Sequence, residues 1–235
     1  MMKVVILCGG IGSRLAEETK LIPKPMVKIG KLPILKHIIN YYQSFGFEEF
    51  ILATGYKSKV IENYFKNKKG IESIFTGKTT LTGGRLLRLK KYFSKNENFL
   101  LTYGDGLSNV NIKKLIELHN RSKKIATLTA VLPPARFGVL KIKGKKITSF
   151  KEKIQLKNNW INGGFFVFNS KIFDFITGDK IMLEREPFQK LTKKGQLLAY
   201  KHYGFWQCMD TMRDKKVLNK LLRENKAPWI KKKIK

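Results

Sequence analysis

Short continuous apolar runs alternate along the chain with stretches whose apolar residues recur every three or four positions. "KVVILC" (3–8), "EEFILATG" (48–55), "NFLLTYGDG" (98–106) and "IATLTAVL" (125–132) are of the first kind and read as buried strands. "PILKHIINYYQSF" (33–45), "KVIENYFKN" (59–67) and "NIKKLIELHNRS" (111–122) are of the second and read as amphipathic helices. In the first of these, Ile34, Ile38, Tyr41, Tyr42 and Phe45 form a stripe at helical spacing, and Gly46 is a stop signal. This rhythm predicts an α/β protein with a mixed, mostly parallel sheet, helices on both of its faces, and ligands at the carboxyl ends of the strands. The alternation in "RFGVLKIKGKKITSFKEK" (136–153) predicts a hairpin turning near Gly144, so a mixed-sheet region follows the first parallel half. No repeat and no linker interrupts the pattern, and the 235 residues read as one domain.

Composition adds three constraints. The apolar runs are too short to span a bilayer and no signal-peptide pattern is present, which leads us to expect a cytoplasmic protein without a membrane span. Cys8 and Cys208 lack the paired spacing of a zinc or redox site and read as free thiols. The net charge of +31 points toward polyanionic partners, but the basic residues are mostly lysines spread along the chain. No zinc-finger spacing, RNP-like aromatic pattern or heptad-linked basic region accompanies them, so a solvated lysine surface is favoured over nucleic-acid binding.

The candidate chemistry begins in "VVILCGGIGSRL" (4–15), where a buried run meets Gly9, Gly10 and Gly12, then Ser13, Arg14 and Leu15. Glycines bring backbone N–H groups close to an anion, and an arginine adds charge-assisted hydrogen bonds. The loop is neither a dinucleotide fingerprint, which needs glycine where Leu15 stands, nor a P-loop. A tight turn with a capping arginine is its plainer reading. Lys24, between Pro23 and Pro25, is expected on a stiff extended segment, from which it could neutralise phosphate charge or simply border a surface loop.

Asp105 ends a strand-like run in "LLTYGDG", and Asp210 lies in "FWQCMDTMRDK" (205–215). Two strand-end carboxylates can share one Mg²⁺ while phosphate oxygens complete its octahedron. The alternatives are a turn aspartate at 105 and a helix N-cap at 210. Thr79, Thr80, Gly83, Gly84 and Arg85 in "TGKTTLTGGRL" (76–86) suit either a clasp on a base or ribose or a flexible connector. Glu152 with Lys153, and Asn162, Gly163 and Gly164 in "INGGFFVFN" (161–169), offer sugar-binding groups or a solvated pair and a strand bulge. His37, His119 and His202 lack metal-ligand spacing and read as structural.

Taken in order, "ILCGGIGSRL", "PKPMVKIGKLPIL", "TGGRL", "YGDG", "PPARFGVL", "EK", "INGGFFVFN" and "FWQCMDTMRDK" resemble the sugar-1-phosphate nucleotidylyltransferases, and the late motifs through "KAPW" resemble their cytidylyl-transferring branch. The resemblance covers nearly the whole chain. It implies a Rossmann-like nucleotidyltransferase fold, with residues 1–110 as a nucleotide-binding half and 111–235 as a sugar-phosphate-binding half. It also implies CTP and glucose 1-phosphate as substrates, Mg²⁺ as cofactor, a homo-oligomer, and a role in dideoxysugar or surface-polysaccharide synthesis. Carried over by motif, the loop of Leu7, Cys8, Gly9, Gly10, Ile11, Gly12, Ser13 and Arg14 would hold the nucleotide, with Arg14 near the departing pyrophosphate. Lys24 would neutralise the reacting phosphate, Asp105 and Asp210 would bind Mg²⁺, and Gly104 would lie close to the nucleoside. Thr79 and Arg85 would help recognise the cytidine end; Glu152, Lys153, Asn162 and Gly163 would receive glucose 1-phosphate. Thymidylyl or uridylyl transfer would share the loop, lysine and aspartates.

Three departures from the family pattern stand out. Only "KKGIESIFTGKTTL" (68–81) bridges the helix ending near "YFKN" and the "TGGR" cluster, where relatives carry a longer segment linked to subunit contacts and the nucleotide site. Cys8 replaces the usual alanine, and the proline common after the Glu-Lys pair is missing.

Overall fold

The computed structural model describes residues 2–12, 15–134, 137–152 and 159–231. Thirteen strands are present among them: β1 (Val4–Leu7), β2 (Lys28–Ile29), β3 (Leu32–Pro33), β4 (Phe50–Thr54), β5 (Ile71–Phe75), β6 (Asn98–Tyr103), β7 (Gly106–Ser108), β8 (Ala126–Val131), β9 (Val139–Lys143), β10 (Lys146–Lys151), β11 (Ile161–Asn169), β12 (Leu197–His202) and β13 (Trp206–Cys208). The helices are α1 (Ala16–Thr19), α2 (Ile34–Gln43), α3 (Ser58–Phe65), α4 (Thr82–Leu87), α5 (Ile112–Ser122), α6 (Glu186–Lys193) and α7 (Met212–Arg223).

Seven strands form one sheet in the order β12-β8-β11-β6-β1-β4-β5. All its neighbours pair in parallel except that β11 runs antiparallel to both β6 and β8. The mixed, mostly parallel sheet read from the sequence is therefore the one observed. Side chains of β1 alternate between two cores, as period-2 geometry requires: Val4 and Ile6 face one, Val5 and Leu7 the other. The first core takes residues of α2, α3, α5 and α7, and the second those of α4 and α6. On α2, Ile34, Ile38, Tyr41 and Tyr42 are buried; burying each of the two isoleucines contributes about 1.5–3 kcal/mol.

The anticipated hairpin is β9 and β10, turning at Gly144 with φ +57°. It forms its own two-stranded sheet, and Leu140, Ile142, Ile147 and Phe150 leave one apolar face exposed. No helix among the described residues is long and apolar enough to cross a membrane.

Candidate active site

A cavity of about 380 Å³ opens where β1 and β6 end, the rim that parallel-sheet geometry reserves for ligands. Its floor is the turn from Leu7 to Gly12. Cys8 N donates to Ala53 O at 2.9 Å and Tyr56 N to Gly9 O at 3.1 Å, tying this turn to the end of β4. A Cβ on Gly9 would collide with the Arg85 guanidinium, and Gly12 has φ +69°, so glycine is called for at the first by the packing of Arg85 and at the second by the backbone. The Cys8 thiol is buried, donates to Ile6 O, and has its pKa driven upward by that burial, so it stays protonated.

Lys24 begins a single 3-10 turn, Lys24–Met26, closed by Val27 N donating to Lys24 O. The extended segment expected around it is thus a tight turn: Pro25 falls in the first turn, where its missing N–H costs nothing. The turn buries the lysine's stem and sends its ammonium between two carboxylates, 2.5 Å from Asp105 Oδ2 and 2.5 Å from Asp210 Oδ1. Burial alone would lower the Lys24 pKa; the charges and hydrogen bonds of Asp105 and Asp210 outweigh it and push the value up.

Two three-residue strands bring these aspartates together. Asp105 directly precedes β7 and Asp210 follows β13, and the two strands pair antiparallel with Cys208 opposite Gly106. Met209 N then donates to Asp105 O at 2.9 Å, which seats the two carboxylates side by side. The helix-cap alternative for Asp210 does not hold, because the N-cap of α7 is Thr211. Asp214, which the sequence reading did not single out, completes a capping box with Thr211 and also accepts from Asp210 N at 3.1 Å. Its signal was available in the T-x-x-D spacing.

The converging carboxylate oxygens of Asp105 and Asp210 are of the hard, anionic kind that suits a divalent cation, and the Lys24 ammonium lies between them. Cys208, whose thiol lies 3.7 Å from Asp210 Oδ2, has its pKa pushed up to about 12 by burial and neighbouring aspartates, so it adds no thiolate ligand.

Arg85 lines the cavity but is spent on its wall. Its Nη1 donates to Thr54 O, Thr76 Oγ1 and Gly77 O, and its Nη2 to Gly9 O at 2.8 Å. With the residue 4% exposed, it braces the glycine turn instead of presenting donors to a base as expected. Thr79 is exposed, its hydroxyl accepting from Lys180, and its neighbour Thr80 lines the cavity instead, together with Leu81, Thr82 and Met182. Ile11 is 59% exposed and lies outside the lining. Gly104, by contrast, lines it beside Tyr103.

On the sugar side, Asn162 Nδ2 donates to the hydroxyl of Tyr103 at 3.2 Å, and Trp206 Nε1 donates to Gly163 O at 2.7 Å. Asn162 thus stands one contact behind the lining, through Tyr103, while Gly163 and Trp206 are not among the lining residues. Glu152 is exposed just after β10 and is not among the residues lining the cavity. Ser13, Arg14 and Lys153 lie outside the described residues. The histidines are structural, as expected. His37 is held between Ile29 O and the Trp229 indole, His119 bonds Thr127, and His202 bonds Phe205 O.

A glycine turn after the first strand, a lysine between two strand-end aspartates, and a mixed sheet broken by one reversed strand define a nucleotide-transferring enzyme. The chain belongs to the nucleotidyl transferase family, whose model matches residues 3–210. It is 44% identical to glucose-1-phosphate cytidylyltransferase of Salmonella typhimurium, over 97% of this chain and 98% of that one. It is 40% identical to the probable glucose-1-phosphate cytidylyltransferase of Bacillus subtilis, over 97% and 99%. The alignment with the Salmonella protein runs to 253 positions, more than the 235 residues present, so this chain lacks residues which that relative carries. Among solved structures, HddC from Yersinia pseudotuberculosis superposes with a TM-score of 0.76 at 27% identity, covering 94% of this chain and all of that one.

Proposed function

We propose that this enzyme transfers the cytidylyl group of CTP to glucose 1-phosphate, giving CDP-glucose and pyrophosphate. The observation that carries the reading is the Lys24 ammonium held between Asp105 and Asp210 at the floor of the glycine-turn cavity; the activity named for the Salmonella and Bacillus relatives supports the choice of substrates.

In this reaction a phosphate oxygen of the sugar forms a bond to the α-phosphorus while the bond from that phosphorus to the bridging oxygen of pyrophosphate breaks. No covalent intermediate with the protein is required, so the chain's work is alignment and charge stabilisation. The turn from Leu7 to Gly12 takes the triphosphate at its close backbone approach, and Ser13 and Arg14 follow it in sequence. Lys24, kept protonated by its carboxylate neighbours, supplies positive charge to the phosphates as negative charge shifts onto the leaving oxygens. Mg²⁺ held by Asp105 and Asp210 would neutralise phosphate charge and fix phosphate geometry. Arg85 keeps the glycine turn in shape from behind, and Asn162 and Gly163 receive the sugar phosphate from the β11 side.

The exposed apolar face of the β9–β10 hairpin supports a homo-oligomer. Use of a nucleotide triphosphate supports a cytoplasmic setting, with the product feeding dideoxysugar or surface-polysaccharide synthesis. The test is pyrophosphate release from glucose 1-phosphate with Mg²⁺ and, in parallel, CTP, dTTP, UTP or GTP. Strong preference for CTP is expected; preference for another nucleotide reassigns the base, and no release with any of them overturns the proposal.

A further inference from the structure

Glu184 has no role in the reaction just described, yet both of its carboxylate oxygens are taken up by the cavity wall. Thr82 Oγ1 donates to Oε2 at 2.6 Å, and the Tyr103 hydroxyl donates to Oε1. Among the described residues no cation pairs with it. A half-buried carboxylate in that position is tolerated because its lone pairs are filled by hydroxyl donors.

The arrangement has a direction. A carboxylate only accepts, so Tyr103 commits its single proton to Glu184 and offers only lone pairs to its other neighbour. That neighbour is Asn162, whose Nδ2 donates to the Tyr103 oxygen while its Oδ1 accepts from Gly164 N at 2.9 Å. The amide is thereby oriented from both ends, and the second hydrogen on Nδ2 has no partner among the described residues. Burial and the nearby Glu184 charge both drive the Tyr103 pKa upward, so the phenol remains a donor.

We infer that Glu184 is a positioning residue that fixes the polarity of the Glu184–Tyr103–Asn162 chain, so that Asn162 keeps one N–H for an oxygen of the sugar 1-phosphate. The inference rests on the proposed assignment of Asn162 to the sugar side. The same carboxylate pins Thr82, so one residue from the segment before α6 links the two sides of the cavity.

Glu184→Gln tests it, since glutamine keeps the size but carries a donor that lets the chain invert. We expect the KM for glucose 1-phosphate to rise about tenfold, with kcat and the KM for CTP changing less than about twofold. Tyr103→Phe, which keeps the ring and removes the proton, should reproduce that sugar-selective effect. In an Asn162→Ala background, itself raised in sugar KM, Glu184→Gln should add nothing. Equal rises in both KM values, or a full additional effect in the Asn162→Ala background, would mark Glu184 as a wall residue only and overturn the inference. An Asn162→Ala enzyme with unchanged sugar KM would remove the assignment on which it stands, and the inference with it.

Discussion

Lys24 Nζ and Asp210 Oδ1 are 2.5 Å apart although their residues are separated by 186 positions, and the same ammonium reaches Asp105 Oδ2 at the same distance. One positive group therefore sits where two negative ones converge, and a cation entering between the aspartates must move it aside.

Replacing that ammonium with a neutral chain of similar length should free the carboxylates. We expect Lys24→Met to bind Mn²⁺, in the absence of nucleotide, about tenfold more tightly than the unmodified enzyme, a difference of roughly 1.4 kcal/mol. The free-ion signal in electron paramagnetic resonance titrations reads this directly. The same variant should lose more in kcat than in KM for CTP; unchanged or weaker Mn²⁺ binding would show that Lys24 and the metal do not compete.

Asp210 precedes the N-cap of α7 and Asp214 lies in its first turn, and the two should fail differently. Asp210→Asn is expected to lower turnover by more than about a hundredfold with the melting temperature little changed. Asp214→Ala removes the acceptor for the Asp210 and Thr211 amides and for the Gln207 side chain, and should cost about 1–3 kcal/mol in denaturant unfolding. An Asp214 variant of unaltered stability would disprove its bracing role.

For Arg85, lysine is not a conservative replacement, because one ammonium cannot serve the carbonyls of Gly9, Thr54 and Gly77 together. Arg85→Lys should destabilise the fold by on the order of 2 kcal/mol and weaken CTP binding as the glycine turn loses its brace. Calorimetric titration with CTP and urea unfolding on the same sample check both; intact stability with lost CTP affinity would return Arg85 to the role of base reader.

His119 links stability to pH. Burial lowers its pKa from 6.5 to about 4, with the ring bonded to Thr127. Between those values the unfolded chain takes up a proton that the folded one refuses. The stabilising term is therefore complete above pH 6.5 and disappears as pH falls toward 4. His119→Asn should flatten the acid limb relative to the unmodified enzyme by about 2 kcal/mol near pH 4.5 in chemical denaturation, and identical acid limbs would assign the loss elsewhere.

How much of this was visible beforehand depends on the range of the interaction. The continuous apolar runs of β1, β4 and β6 and the period-3.6 patterns of α2 and α5 are local and could be read directly, as could the turn at Gly144 and the strand-end setting of Asp105. The meeting of Asp105 with Asp210 could not, because β7 and β13 are three residues each and carry no measurable period. The resemblance joined the two aspartates where spacing did not. The resemblance implied that Arg85 reads the cytidine end, and an arginine after glycines in sequence says nothing of burial; its bonds to the carbonyls of Gly9, Thr54 and Gly77 hold it in the wall. Glu184 sits in "LEREP" with no local mark, since its partners Thr82 and Tyr103 are 102 and 81 positions away. The turn at Lys24 was misjudged for a smaller reason, as a residue preceding proline more often stays extended.

The single reversed strand has a consequence for how this enzyme can change. Because β11 runs against β6, its beginning meets the end of β6, and Asn162 shares a rim with Tyr103 although one precedes its strand's core and the other closes its own. The groups that the proposed function assigns to the two substrates are therefore encoded on opposite flanks of their strands. On the proposed function, changes in the sequence before β11 would alter the sugar side while the turns after β1 and β6 stay untouched, so each specificity could be altered separately.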